Sequence, residues 1–335
     1  MKFLVEKTWK FKKQCTFALI FHWYDMTKGK EKVAKADSRN KAESSKYINP
    51  LTDFEFKYIF GTKELLIDFL NGIVDVEGGI VDLTYDNTER IPHSDEERSA
   101  RFDLHCVTGT DDRIIIEMQN ISQTFFKDRT LYYVTFPVQE QAPKSKNWDF
   151  MLKPIYSVNI LNFRMKDEEQ QEPAVEEPNE LQQPDKPEFA NKYITYVQLI
   201  DRDTHEVFYK KLTMVYLELP LFTVPENELK TGKDKWTYVL KNLSELNELP
   251  EALRNEVFEK LFQMAEIAKL SAKERKEYYR SLKSFRDMYN SIAQRDQVIA
   301  TLKQEVKTFR KENAAKDKMI AALQRQLRKN EKNFN

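Results

Sequence analysis

Runs in which every second residue is apolar occupy the middle of this chain, and runs with a three-and-four apolar spacing bracket them. Gly79 to Tyr85, Arg101 to Thr108 and Arg113 to Gln119 are rich in β-branched or aromatic residues and are separated by polar turns, which predicts three strands. Lys153 to Phe163, Tyr193 to Ile200 and Val207 to Leu219 predict three more, the last completing an antiparallel extension of the sheet. From Asp53 to Asn71 the residues Phe56, Ile59, Phe60, Lys63, Ile67 and Leu70 recur at helical spacing. This predicts one amphipathic helix, started by Thr52 or Asp53 as cap and ended at Asn71-Gly72. Ser122 to Gln139 predicts a second helix, with Phe125, Arg129, Tyr132, Tyr133 and Phe136 on or near one face. Helical patterns take over from about Lys235. The order helix, three strands, helix, strand implies an α/β fold with a mixed sheet flanked by helices.

The last part of the chain has a different period. Phe285, Ile292, Ile299, Val306, Asn313, Ile320 and Leu327 fall seven residues apart, with Met288, Leu302, Phe309 and Leu323 on the complementary seam. That is the pattern of a coiled coil over residues 285–330, following a helical region at 235–284. Asn313 favours an in-register parallel homodimer, because a buried amide is best satisfied by its own copy across the axis. Arg295 and Lys316 also fall on the seam and weaken it.

Composition refines this layout. The net charge of the 335 residues is zero, but residues 166–190 carry nine acids against two lysines, and residues 269–335 carry eighteen Lys/Arg against eight acids. The acidic stretch, with four prolines and almost no large apolar group, predicts a disordered insert in a domain spanning 47–234. The basic tail suits either a solvated surface or an anionic partner such as the DNA backbone. Two cysteines far apart, Cys15 and Cys106, suggest neither a disulfide framework nor a zinc site, and fit a reducing cytoplasm. Residues 1–46 read as a poorly ordered extension. Its apolar run from Cys15 to Tyr24 is too short for a membrane span and lacks a cleavage site, and Met26 offers a second start. Seven glycines and no Gly-rich phosphate loop argue against a nucleotide-binding fold.

The chemistry concentrates on two strands. Alternation puts Asp103 and His105 on one face of the first and Glu117 and Gln119 on one face of the second. Carboxylates brought together repel unless a cation lies between them, so the pair reads as a site for Mg²⁺ or Mn²⁺. His105 is a tempting general base, although a hydrogen-bonded structural histidine is the commoner outcome.

Taken with their order, the motifs Asp53-Phe-Glu-Phe-Lys-Tyr-Ile-Phe-Gly61, Leu65 to Val74, Arg101-Phe-Asp103, Ile116-Glu-Met-Gln119, Phe126-Lys-Asp-Arg129 and Tyr132-Tyr133 resemble the PD-(D/E)XK nuclease superfamily. Within it, they resemble the branch of recombination-promoting nucleases and transposases. The resemblance covers residues 47–165 best and does not reach the coiled coil. It implies a restriction-endonuclease-like fold and hydrolysis of DNA leaving a 5′-phosphate. It also implies that Asp103, Glu117 and the main-chain carbonyl of Met118 bind the metal. Gln119 stands where the superfamily has lysine, and an amide can orient a water but offers no positive charge. Asp53 stands where the resemblance places a further acid, with helix capping as its other role. Lys57 faces phosphate or solvent. Arg129 either stacks on the aromatic residues around it or reaches a phosphate. Two other readings stay open: a catalytically weak DNA-binding descendant, and an interaction scaffold built around the heptad helix.

Overall fold

The computed structural model describes residues 45–86, 89–90, 100–101, 103–142, 149–165 and 192–333. The extension before residue 45 and the acidic insert lie outside these. Described residues up to Arg275 form one compact unit, and those from Lys276 onward form a second.

The first apolar-periodic segment is two helices, α1 (Asp53–Phe60) and α2 (Lys63–Ile73), where the spacing predicts one. Gly61 and Thr62 separate them. A Cβ on Gly61 would meet the Lys57 carbonyl oxygen at 2.7 Å, so glycine alone fits the tight exit from α1. Thr62 then takes an extended backbone (φ −89°, ψ 110°) at the start of α2. Gly72 does not end α2. It lets the helix approach the start of a later helix, where its Cβ would lie 3.1 Å from the Gly232 carbonyl carbon. The chain leaves α2 through a turn with Gly78 and Gly79 at positive φ (78° and 69°). Asn71 fixes this return, accepting from the Ile80 amide at 2.7 Å and donating to the Ile80 carbonyl at 2.9 Å.

Six strands form the main sheet: β1 (Leu83–Tyr85), β4 (Leu104–Thr108), β5 (Arg113–Gln119), β6 (Ile155–Leu161), β7 (Ile194–Ile200) and β8 (Val207–Glu218), in the order β1-β4-β5-β6-β8-β7. A separate two-stranded ribbon pairs β2 (Glu89–Arg90) with β3 (Ala100–Arg101). The expected strand from Arg101 to Thr108 is therefore interrupted, and Asp103 occupies a bend at the mouth of β4. β1, β4 and β5 run antiparallel, β5, β6 and β8 run parallel, and β7 returns antiparallel on β8. The expected antiparallel extension thus holds for the β7–β8 hairpin alone, since β8 inserts between β6 and β7.

Burial accounts for this order. All seven residues of β6 are buried, as a central parallel strand covered on both faces requires, whereas β7 is buried only at Ile194 and suits an edge. The β5–β6 crossover carries helix α3 (Phe126–Glu140). Phe126 and Val134 of α3 pack on Ile115, Ile155, Leu161, Met214 and Tyr216 of the sheet, and Thr130 shares a 2.7 Å hydrogen bond with the Tyr216 hydroxyl.

Helices α4 (Gly232–Asn242) and α5 (Glu256–Ala265) complete the first unit. Thr231 and Asp234 form a capping box at the start of α4, and Asn255 caps α5 by accepting from the Phe258 amide. Trp236 is wholly buried, its ring centroid 5.7, 5.6 and 5.0 Å from those of Phe60, Phe69 and Phe258, and its indole N–H donates to Asp68 at 2.7 Å. Such an aromatic cluster with its one polar atom satisfied welds α1, α2, α4 and α5 together. The final helix, α6, runs 62 residues from Ala272 to Asn333. Ile299, Leu302, Val306, Phe309, Ile320, Leu323 and Leu327 are all exposed along it. Among the described residues, no helix is long and apolar enough to cross a membrane.

Candidate active site

The antiparallel register of β4 and β5 pairs Leu104 with Ile116 and His105 with Ile115. One step further out, Asp103 falls opposite Glu117. The backbone ties the two strands together here as well: the Met118 amide donates to Asp103 Oδ2 at 2.7 Å. Alternate residues of a strand direct their amide groups to opposite neighbours. The Gln119 carbonyl accepts from Asn162 beyond β6, so the amide groups of Met118 point the other way, toward Asp103.

Electrostatically the pair is uncomfortable. Burial, and then the charge of Asp103, push the Glu117 carboxyl up to about 8. Asp103 is also raised, chiefly by burial, against the lowering effect of the Met118 amide and of Lys57 and Arg129. Glu117 Oε1 is buried with no hydrogen-bond partner among the described residues. An orphaned carboxylate oxygen facing a second acid is costly in a protein interior, and an oxygen-seeking cation would remove that cost.

The other oxygen of Glu117 belongs to a polar chain. Gln119 Nε2 donates to Glu117 Oε2 at 3.2 Å, and Arg129 stands 3.6 Å from the same oxygen. Arg129 also reaches Gln119 Oε1 at 3.5 Å and Gln123 Oε1 at 2.6 Å, while its guanidinium lies 4.9 Å from the ring centre of Tyr133. It therefore both stacks on an aromatic residue and serves the acid pair. Gln123, in the loop before α3, carried no sequence signal. On the opposite side, Asp53 is the first residue of α1 rather than its cap, and it pairs with Lys57 at 2.7 Å across one exposed turn. Both are close enough to act on Asp103 electrostatically. His105 is fully buried with Nδ1 3.5 Å from Asp86 Oδ2, which gives it a carboxylate neighbour on the sheet edge.

Residues 50–177 and 180–295 match the family model described as PD-(D/E)XK nuclease family transposase, which covers well over half of the chain. The chain belongs to this family. Neither the comparison with curated proteins nor that with solved structures finds a match. Asp53, Lys57, Asp103, Glu117, Met118, Gln119 and Arg129 all lie within the first matched span of this PD-(D/E)XK nuclease family transposase. The divalent metals typical of such nucleases agree in kind with the all-oxygen donor set at Asp103 and Glu117.

Proposed function

We propose that the chain is a divalent-metal-dependent DNA endonuclease with a restriction-endonuclease-like sheet as its scaffold. The observation that carries this reading is the buried acid pair, in which Glu117 offers an unsatisfied oxygen under the charge of Asp103. Asp103, Glu117 and the Met118 carbonyl would hold Mg²⁺ or Mn²⁺. The ion supplies an acidified water and neutralises charge on the scissile phosphate. Gln119 is held at both ends of its amide, and the second N–H of its Nε2 is available to orient the attacking water. Arg129 carries the positive charge that a lysine at position 119 would have brought. Partly exposed beside Glu117, it is placed to hold a phosphate oxygen. Lys57, paired with Asp53 on the exposed face of α1, is the further candidate for a phosphate contact.

The exposed seam of α6 supports a parallel homodimer. Glu305 would face Arg310 of a second copy and Glu312 would face Asp317, one attractive pair against one repulsive, so orientation rests on Asn313 pairing with itself. Two copies of the acid pair then meet one duplex, which suits cutting both strands. The basic outer faces add non-specific attraction to DNA.

Nicking of supercoiled plasmid with Mg²⁺ or Mn²⁺ tests the reading. Asp103→Ala and Glu117→Ala should each lower the rate by about a hundredfold or more. A second reading, a catalytically weak DNA-binding descendant, is favoured by Gln119 standing in place of lysine. It predicts wild-type DNA binding without cleavage. Neither binding nor cleavage would leave the heptad helix as a scaffold.

A further inference from the structure

We propose that Asp86, His105 and Glu140 form a second cation site, separate from the acid pair, that takes a transition metal of the Zn²⁺ class. The three residues come from the end of β1, the body of β4 and the last turn of α3, and one donor atom from each lies within 4.8 Å of the others. The arrangement is built into the backbone. The Asp86 amide donates to the His105 carbonyl at 2.8 Å, continuing the β1–β4 register, so the two side chains stand directly opposite each other with Nδ1 and Oδ2 3.5 Å apart. Around a tetrahedral zinc with ligands at about 2.0–2.2 Å, donor atoms stand roughly 3.3–3.6 Å apart. The Asp86–His105 separation already meets that spacing, and Glu140, exposed at the end of α3, brings the third donor within 4.8 Å.

Glu140 lies at the C-terminal pole of a fifteen-residue helix with no basic residue in its last turn, so a carboxylate there opposes the helix dipole. Asp86 brings a second carboxylate to the same point, so the three donors converge from two strands and a helix. The donor set also chooses among cations. One imidazole nitrogen with two carboxylates suits Zn²⁺, whereas the all-oxygen pair at Asp103 and Glu117 suits Mg²⁺ or Mn²⁺. His105 is buried while Asp86 and Glu140 face solvent, which leaves the outer position to water. Because His105 and Asp103 lie two residues apart, roughly 7 Å along the chain, an ion here would brace the base of the strand that carries Asp103. The inference stands independently of the nuclease reading.

Zn²⁺ titration of the full-length chain against a chromophoric chelator, with Mg²⁺ in large excess, tests it, together with thermal melts. One Zn²⁺ should bind and raise the melting temperature, because a ligand that binds only the folded state stabilises it. Glu140→Gln and Asp86→Asn should each weaken Zn²⁺ at least about tenfold and remove that rise, while Glu117→Gln leaves both unchanged. Glu140 is exposed at a helix end, so its variant should fold as the wild type does, which circular dichroism verifies. The proposal fails if the wild type binds no Zn²⁺ or if both variants bind it as the wild type does. It also fails if Glu117→Gln alone abolishes binding, which would return the ion to the acid pair.

Discussion

At the scale of single residues, the decisive fact is that two carboxylates are forced together where water cannot screen them. The Glu117 carboxyl, pushed up to about 8, is raised above its value in an unfolded chain, so its contribution to stability is complete at low pH and is lost as pH climbs toward 8. In chelator, the wild type should therefore lose unfolding free energy relative to Glu117→Gln between pH 5 and 8, by up to roughly 1 kcal/mol per pH unit, which urea unfolding at several pH values measures. A bound cation must displace that proton, so Mg²⁺ or Mn²⁺ affinity should rise about tenfold per pH unit until it levels near pH 8. Isothermal titration at several pH values measures this, and a flat profile would mean that Glu117 is not a ligand. Arg129 holds the Glu117 carboxyl down. Arg129→Gln should move the midpoint of that profile to higher pH, which a role confined to stacking on Tyr133 would not do. The shared face of Glu117 and Gln119 was legible in the sequence because strand alternation is a local rule, whereas Asp103, which lies in a bend, was picked out by motif order and by an expected strand that stops short of it. The contacts of Gln123 and of Arg129 with the acid pair's surroundings were not legible, because a loop and a helix must fold back to create them.

At the scale of elements, glycine decides two boundaries that hydrophobic spacing leaves open. The helical spacing of Asp53 to Asn71 runs on through Lys63, yet Gly61 ends α1, its backbone packed so closely on the Lys57 carbonyl that a side chain would strike it. Gly72 works in the opposite sense, being a contact point where backbone meets backbone at Gly232. Gly72→Val should wedge α2 from α4 and cost about 1–3 kcal/mol in urea unfolding, whereas a helix-ending glycine would give a smaller loss. Strand order follows the same division. The fully buried β6 and the half-exposed β7 are visible as composition, but the insertion of β8 between them depends on which neighbour each strand finds.

At the scale of the whole molecule, α6 carries exposed apolar residues at its heptad positions from Ile299 to Leu327. Sedimentation should show a dimer, and full-length Val306→Glu with Leu323→Glu should be monomeric, since each substitution buries a charge against its own copy. If the double variant sediments as the wild type does, the seam has another occupant. DNA binding by the dimer should fall steeply with salt, as contacts from the basic helix to phosphate require.

The sequence by itself determined the strand and helix periods, the heptads of α6, the family and the acids at 103 and 117, because each follows from spacing along the chain or from a motif in fixed order. Only the tertiary structure decided that Asp103 sits in a bend rather than on its strand, that β8 lies inside the sheet, and that Asp86 and Glu140 converge on His105. Those depend on register between distant segments and on the packing of α3 over the sheet, where contact free energy between residues far apart in sequence selects the partner and local propensity is silent.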